Sequence, residues 1–410
     1  MQIVRINMSN KIIDSDKNTS HIYVNGPTNC VRMEGNINGI KKVVYIFMDF
    51  HLSHSECDNI DSLEFKQYFV KTAKALKEKV DFFFETNPHA TNLFTSKKNY
   101  KTFRDRYFDS VHKLFASEFK IDENNKITSS RIFKNIRFHY TDVRLPFSFQ
   151  TDTQIEWLVD FCRNHLYYLE LTTADCDEFY KKMTECKNFI TMMYEFLNNP
   201  DEIYDKIKNA SPHAIIEYKI FKKIQDKYKN DNVKLIVKNI ISSYIKSHYE
   251  KLMDLFTNAF DDLKSIKKKI IGPDALNDTF SDTVGIGDDS RFFIESLSLL
   301  YTTVMTIDIR STRLYSRFMD IYFIRRLCDK DYIKNSVVYT GASHSAFYIY
   351  ILSKYFDFNI THYSYSSLND IDEINKTIQK SSSYIEIEKI FYQPELLQCT
   401  NMTSFPKNFE

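Results

Sequence analysis

The sequence predicts an α/β fold: a largely parallel sheet flanked by helices, interrupted by a long all-helical insertion. The run VVYIFMDF, residues 43 to 50, is apolar without alternation, as in a strand covered by helices on both faces. Strand-like and helix-like segments alternate before residue 150 and again after residue 291, the rhythm of βα units. Between them, from 151 to 271, turn residues are few and apolar residues recur at helical spacing.

In chain order, Asn38-Gly39 separates two strand-like runs, a hairpin signal because both central positions favour positive φ. The strand Val43 to Phe50 follows. Leu63, Phe69, Ala73, Leu76 and Val80 then keep helical spacing through SLEFKQYFVKTAKALKEKV. DFFFETNPH is a short strand ending on Glu85, a helix covers about 103 to 118, and NIRFHYTDVRLP is a strand with His139, Asp142 and Arg144 towards its end, stopped by Pro146.

In the insertion, Ile241, Ile245, His248, Leu252, Phe256, Ala259, Leu263, Ile266 and Ile270 advance by threes and fours. That stripe packs helix on helix, or offers a seam through which the chain could form a homo-oligomer. Residues 272 to 290, GPDALNDTFSDTVGIGDDS, read as a flexible, protease-sensitive loop. Leu314, Phe318, Ile321 and Ile324 mark the next helix, VVYTGASH a strand turning into a helix, and DFNITHYSY a last strand. Residues 1–150 and 291–410 are therefore expected to be two parts of one α/β domain.

Composition bounds the function. Fifty-five basic against 54 acidic residues give no global field for nucleic acid, and no stretch has the length and apolarity of a membrane helix or signal peptide. Seven scattered cysteines without a C-x-x-C pair predict free thiols in a reducing, cytoplasmic setting. Much Lys, Asn, Ile, Tyr and Phe beside little Gly and Pro is the composition of an AT-rich genome.

Functional residues gather at strand ends. Asp49 and His51 close the first parallel strand, Glu85 the second, Asp142 and Arg144 the third, and Gly341 with His344 the fourth. In a parallel sheet these ends share the edge where ligands bind. Gly341 is one of only seven glycines, and a glycine there is expected to serve the backbone, by reaching positive φ and by letting another group approach the main chain. Asp49, His51, Glu85 and His344 are of the types that hold Mn, Co, Fe or Zn and lower the pKa of a bound water. Without metal, a histidine would act as general base while Arg144 or Arg317 stabilised an oxyanion. His54 with Cys57 lacks the glycine-rich loop of a thiol nucleophile, and VGIGDD lacks the preceding strand of a binuclear phosphoesterase.

The order of strand, D-x-H, helix, strand ending in Glu, Arg-bearing helix, strand, G-x-x-H and helix resembles the superfamily of TraB and Tiki proteins, ChaN-like proteins and erythromycin esterases. The late motif is GASH, Gly341 to His344; the early one is MDFH, with Met48 where glycine is usual and Asp49 where glutamate is common. Glu85 matches the second-strand glutamate, and the arginine before the late motif is Arg317 or Arg313. The resemblance spans about 110 residues at the front and 50 at the back. It implies hydrolysis of an amide or ester in a small molecule or peptide, with His51, Glu85 and His344 at the centre, or a protein bound to iron or haem. The alternative is a non-catalytic structural or interaction protein on the same fold, such as one from a large DNA virus.

Overall fold

The computed structural model describes residues 22–51, 57, 59, 61–86, 106–119, 127, 130–143, 145–168, 171–208, 214–271, 288–395 and 397–409. The fold class is the one the sequence predicts. Six strands form the main sheet: in spatial order β6 (Ile136–Tyr140), β5 (Val80–Phe84), β7 (Asn335–Gly341), β3 (Ile40–Asp49), β2 (Asn29–Ile37) and β8 (Asn359–Tyr363). The contacts β6 to β5, β5 to β7 and β7 to β3 are parallel, while β2 runs against both neighbours. A small second sheet joins β4 (Leu63–Glu64), β1 (Tyr23–Asn25) and β9 (Cys399–Asn401).

The β2–β3 hairpin turns at Asn38 and Gly39, with φ of 53° and 79°, the positive pair its sequence demands. The unalternating apolar run of β3 has the expected cause. Val43, Tyr45 and Phe47 enter an aromatic core with Phe65 and Phe69 of α1 (Phe65–Lys74) and Phe115 of α2 (Arg106–Glu118). Val44, Ile46 and Met48 face the opposite core, shared with the helical block. The helix read from Leu63 to Val80 is shorter in the structure, since Leu63 lies in β4 and Val80 opens β5.

The block comprises α3 (Leu145–Tyr168), α4 (Thr173–Asn198), α5 (Pro200–Ile207), α6 (Ala214–Asp226), α7 (Asp231–Ile240), a π-turn at Ile241–Ile245 and α8 (Lys246–Ile271). A capping box between Thr172 and Asp175 starts α4. Leu252, Phe256, Ala259, Leu263 and Ile266 of α8 are all buried in the main core, so this seam is closed within the chain. α9 (Asp288–Asp329) packs against α3 and α8 and then reaches the sheet, where Phe323 meets Phe83 edge-on with centroids 5.0 Å apart. After β7 come α10 (Ala342–Phe356), α11 (Ile371–Lys380) and α12 (Tyr384–Phe391).

The loop predicted at 272–290 lies outside the described residues, apart from 288–290, where α9 begins. The expectation of free thiols is corrected at one pair. Cys57 and Cys399 are disulfide-bonded, whereas Cys30, Cys162, Cys176, Cys186 and Cys328 are free and buried. A separation of 342 residues hides such a pairing from any reading of spacing. Among the described residues, no helix is long and apolar enough to cross a membrane.

Candidate functional site

Parallel pairing brings three strand ends together. Asp49 of β3 sits in register with Gly341 of β7, and Phe84 of β5 with Tyr339. Glu85 therefore emerges beside the turn from β7 into α10, where its amide donates to the Tyr339 carbonyl at 3.2 Å. Its carboxylate is 7% exposed, and Oε2 accepts from Thr340 Oγ1 at 2.8 Å and from the Gly341 amide at 2.6 Å.

Two histidines flank that carboxylate. His344 Nε2 is 3.3 Å from Oε1, and His51 Nε2 is 3.7 Å from Oε2. The other nitrogen of His344, Nδ1, is 2.6 Å from Asp320 Oδ1, and Asp320 Oδ2 is 2.5 Å from Arg317 Nη1. Arg317 stacks over Phe347 and Tyr384, 4.1 and 4.5 Å from the ring centroids. Arg317, Asp320, His344 and Glu85 thus form a buried line of alternating charge. Burial alone would push the His344 pKa down; Asp320 and Glu85 outweigh it and raise the pKa to about 9, so His344 is an imidazolium at neutral pH.

His51 is held differently. Its φ is 56°, a left-handed conformation uncommon outside glycine, although asparagine, aspartate and histidine adopt it more often than other residues. Asp49 stabilises the turn, accepting the His51 amide on Oδ1 at 2.7 Å. Tyr339 Oη donates to Asp49 Oδ2, and Gln398 Nε2 reaches Oδ1 at 3.3 Å. The His51 ring stands edge-on to Phe108 with centroids 5.1 Å apart, and its side chain remains 40% exposed. In this site the His51 ring is partly exposed, whereas Glu85 and His344 lie below the surface.

Gly341 is explained by space, not by φ. Its φ is −54°, which any residue adopts, so the expectation of a positive angle is corrected. A Cβ there would lie 2.9 Å from His51 Nε2 and 3.3 Å from Glu85 Oε2. Hydrogen in place of a methyl group lets both side chains close over the strand end.

His51, Glu85, His344 and Arg317 are thus brought together. Asp49 is adjacent, but its described bonds build the turn beneath His51. Arg144, His54, His89 and His213 lie outside the described residues. Asp142 lies two residues past the end of β6, its amide donating to the Thr86 carbonyl at 3.3 Å. His139 Nε2 lies 2.7 Å from Asp81 Oδ1, an acid that Arg137 also grips through two hydrogen bonds. Among the described residues no group of three or more His, Cys, Asp and Glu is arranged to hold a metal ion. Sequence reasoning missed Asp320, Tyr339, Thr340 and Gln398. A signal existed for Asp320: Arg317 and Asp320, three apart, lie on one helix face within the apolar run RFMDIYFI.

The chain belongs to a family of unknown function, DUF5847, whose model matches residues 22–410. Among its relatives are three uncharacterized proteins of Acanthamoeba polyphaga mimivirus. One is 31% identical over 98% of this chain and 99% of its own length, a second 31% over 96% and 99%, and a third 29% over 96% and 98%. No solved structure matches. The resemblance to the TraB, Tiki and erythromycin esterase superfamily is therefore corrected: the family that matches is one of unknown function, with no match to a family of that superfamily. D-x-H and G-x-x-H are short, and polar residues after buried parallel strands are what any α/β sheet places at its carboxyl edge.

Proposed function

We propose that the chain is a hydrolase of an ester or amide bond, working in the cleft above β3, β7 and β5. The observation that carries this reading is the sharing of one buried carboxylate, Glu85, by an exposed imidazole and a buried imidazolium. Such an arrangement suits general acid–base chemistry, because a partly exposed imidazole sits beside a buried carboxylate. In the proposed mechanism His51 takes a proton from the attacking water, Glu85 stabilises the imidazolium that forms, and His51 returns the proton to the departing oxygen or nitrogen as its bond to the carbonyl carbon breaks. His344, held by Asp320, fixes the second oxygen of Glu85 and keeps the charge of the carboxylate balanced below the surface. The oxyanion that develops on the substrate falls to the amino end of α10, whose opening amides lack intrahelical partners. His51 and Glu85 are also donors for a divalent ion, which would supply an activated water at the same place.

The test is turnover of a panel of aryl esters and peptide amides, with and without added Mn, Co, Fe or Zn. Activity is expected in the wild type and reduced on the order of a hundredfold or more in H51A and E85Q, the scale of a lost general base. An inert wild type under every condition would sink the hydrolase and leave a structural or interaction protein built on this sheet. A melting temperature unmoved by all four ions would remove the metal version alone.

A further inference from the structure

Beyond His344, the wall formed by α8 and α9 is strongly cationic. Arg310, Arg313 and Arg317 follow one another along α9 at steps of three and four, which places them on one face. α8 contributes His248 and Lys251 to the same region. The His248 pKa is pushed down to about 4, first by burial and then by Arg317, Arg310, Lys251 and Arg313 around it. His248 is therefore neutral, and its Nδ1 is buried without a hydrogen-bond partner. Arg317 is 2% exposed, and its Nε is likewise buried and unpartnered. Among the described residues, Arg310, Arg313 and Lys251 have no carboxylate at ion-pair distance. Glu388 of α12 faces Arg317 and Arg313, one acid against the three arginines; burial raises its pKa while the two arginines lower it.

This wall borders the proposed catalytic centre. Arg317 is the far end of the line through Asp320 to His344. Glu388 meets Ser343 in the first turn of α10, and Tyr392, just past α12, packs edge-on against Phe50 at 5.1 Å, next to His51. Like charges gathered without matching acids destabilise a fold unless an anion joins them. Arginine forks suit a phosphoryl group, and a helix amino end favours the same charge.

We infer that this wall binds the phosphoryl group of the substrate, through Arg310 and Arg313 with His248 between the helices, so that the hydrolysed bond belongs to a phosphorylated ester or amide. The inference rests on the proposed hydrolase, but binding can be measured apart from turnover. Inorganic phosphate and phenyl phosphate are titrated calorimetrically into wild type, H51A and R310Q/R313Q, with acetate at equal ionic strength as control. Wild type and H51A are expected to bind both phosphates alike and acetate not at all, while R310Q/R313Q binds at least tenfold more weakly with a melting temperature no lower than that of wild type in the absence of ligand. R313Q, at an exposed position, serves the same comparison if the double variant does not fold. Absence of phosphate binding in wild type, or equal binding in the arginine variants, would overturn the inference. Arginine-dependent binding in a chain that hydrolyses no ester or amide would uphold this site and refute only the hydrolase.

Discussion

His344 Nδ1 lies 2.6 Å from Asp320 Oδ1, and Asp320 is entirely buried. Two further buried charges, Arg317 and Glu85, extend the contact on either side. Removing one partner of such a line leaves an uncompensated charge away from water, a cost of about 3–5 kcal/mol. D320N keeps the shape and deletes the charge, so its unfolding free energy is expected to fall by that amount, read as a lower urea midpoint at an unchanged m value. A loss under about 1 kcal/mol would mean that water relaxes around the line, and that Asp320 does not set the charge of His344.

The same contact makes stability depend on pH in a definite direction. The folded pKa of His344, about 9, is raised above the ordinary 6.5. Its contribution is therefore fully present below pH 6.5 and is lost as pH rises through about 9. At 1.36 kcal/mol per unit this is on the order of 3 kcal/mol. Denaturation curves between pH 6 and 10 should show the decline in wild type and not in H344Q. Parallel curves for the two proteins would refute it.

Much of this was legible in the sequence, for reasons that differ by residue. The run from Val43 to Phe50 betrayed a strand covered on both faces, and Asn38-Gly39 its hairpin, because backbone geometry at those positions is dictated locally. His51, Glu85 and His344 were found because strand ends in a parallel sheet meet whatever the distance along the chain. Asp320 was not found: its spacing from Arg317 marks a pair on one helix face, but within a helix of 42 residues only tertiary packing sets that pair against His344. Gln398 and the Cys57–Cys399 bond are contacts between chain segments about 340 to 350 residues apart, with no periodicity to announce them.

Gly341 provides the sharpest separation of stability from function. The nearest atom to an added Cβ is His51 Nε2 at 2.9 Å, the far end of a side chain that is 40% exposed. Glu85 Oε2, at 3.3 Å, is anchored by the Gly341 amide and Thr340 and would have to give by only a few tenths of an ångström. G341A is thus expected to cost about 1 kcal/mol, the lower end for overpacking, because the backbone angles suit alanine and the clash is relieved by His51. Relief displaces the proposed base from Glu85, so hydrolysis should fall at least tenfold while phosphate binding persists. Both readouts are needed, from denaturant titration and turnover of the same preparation. Retained turnover in a well-folded G341A would show that the proximity of His51 to Glu85 is not what the site uses.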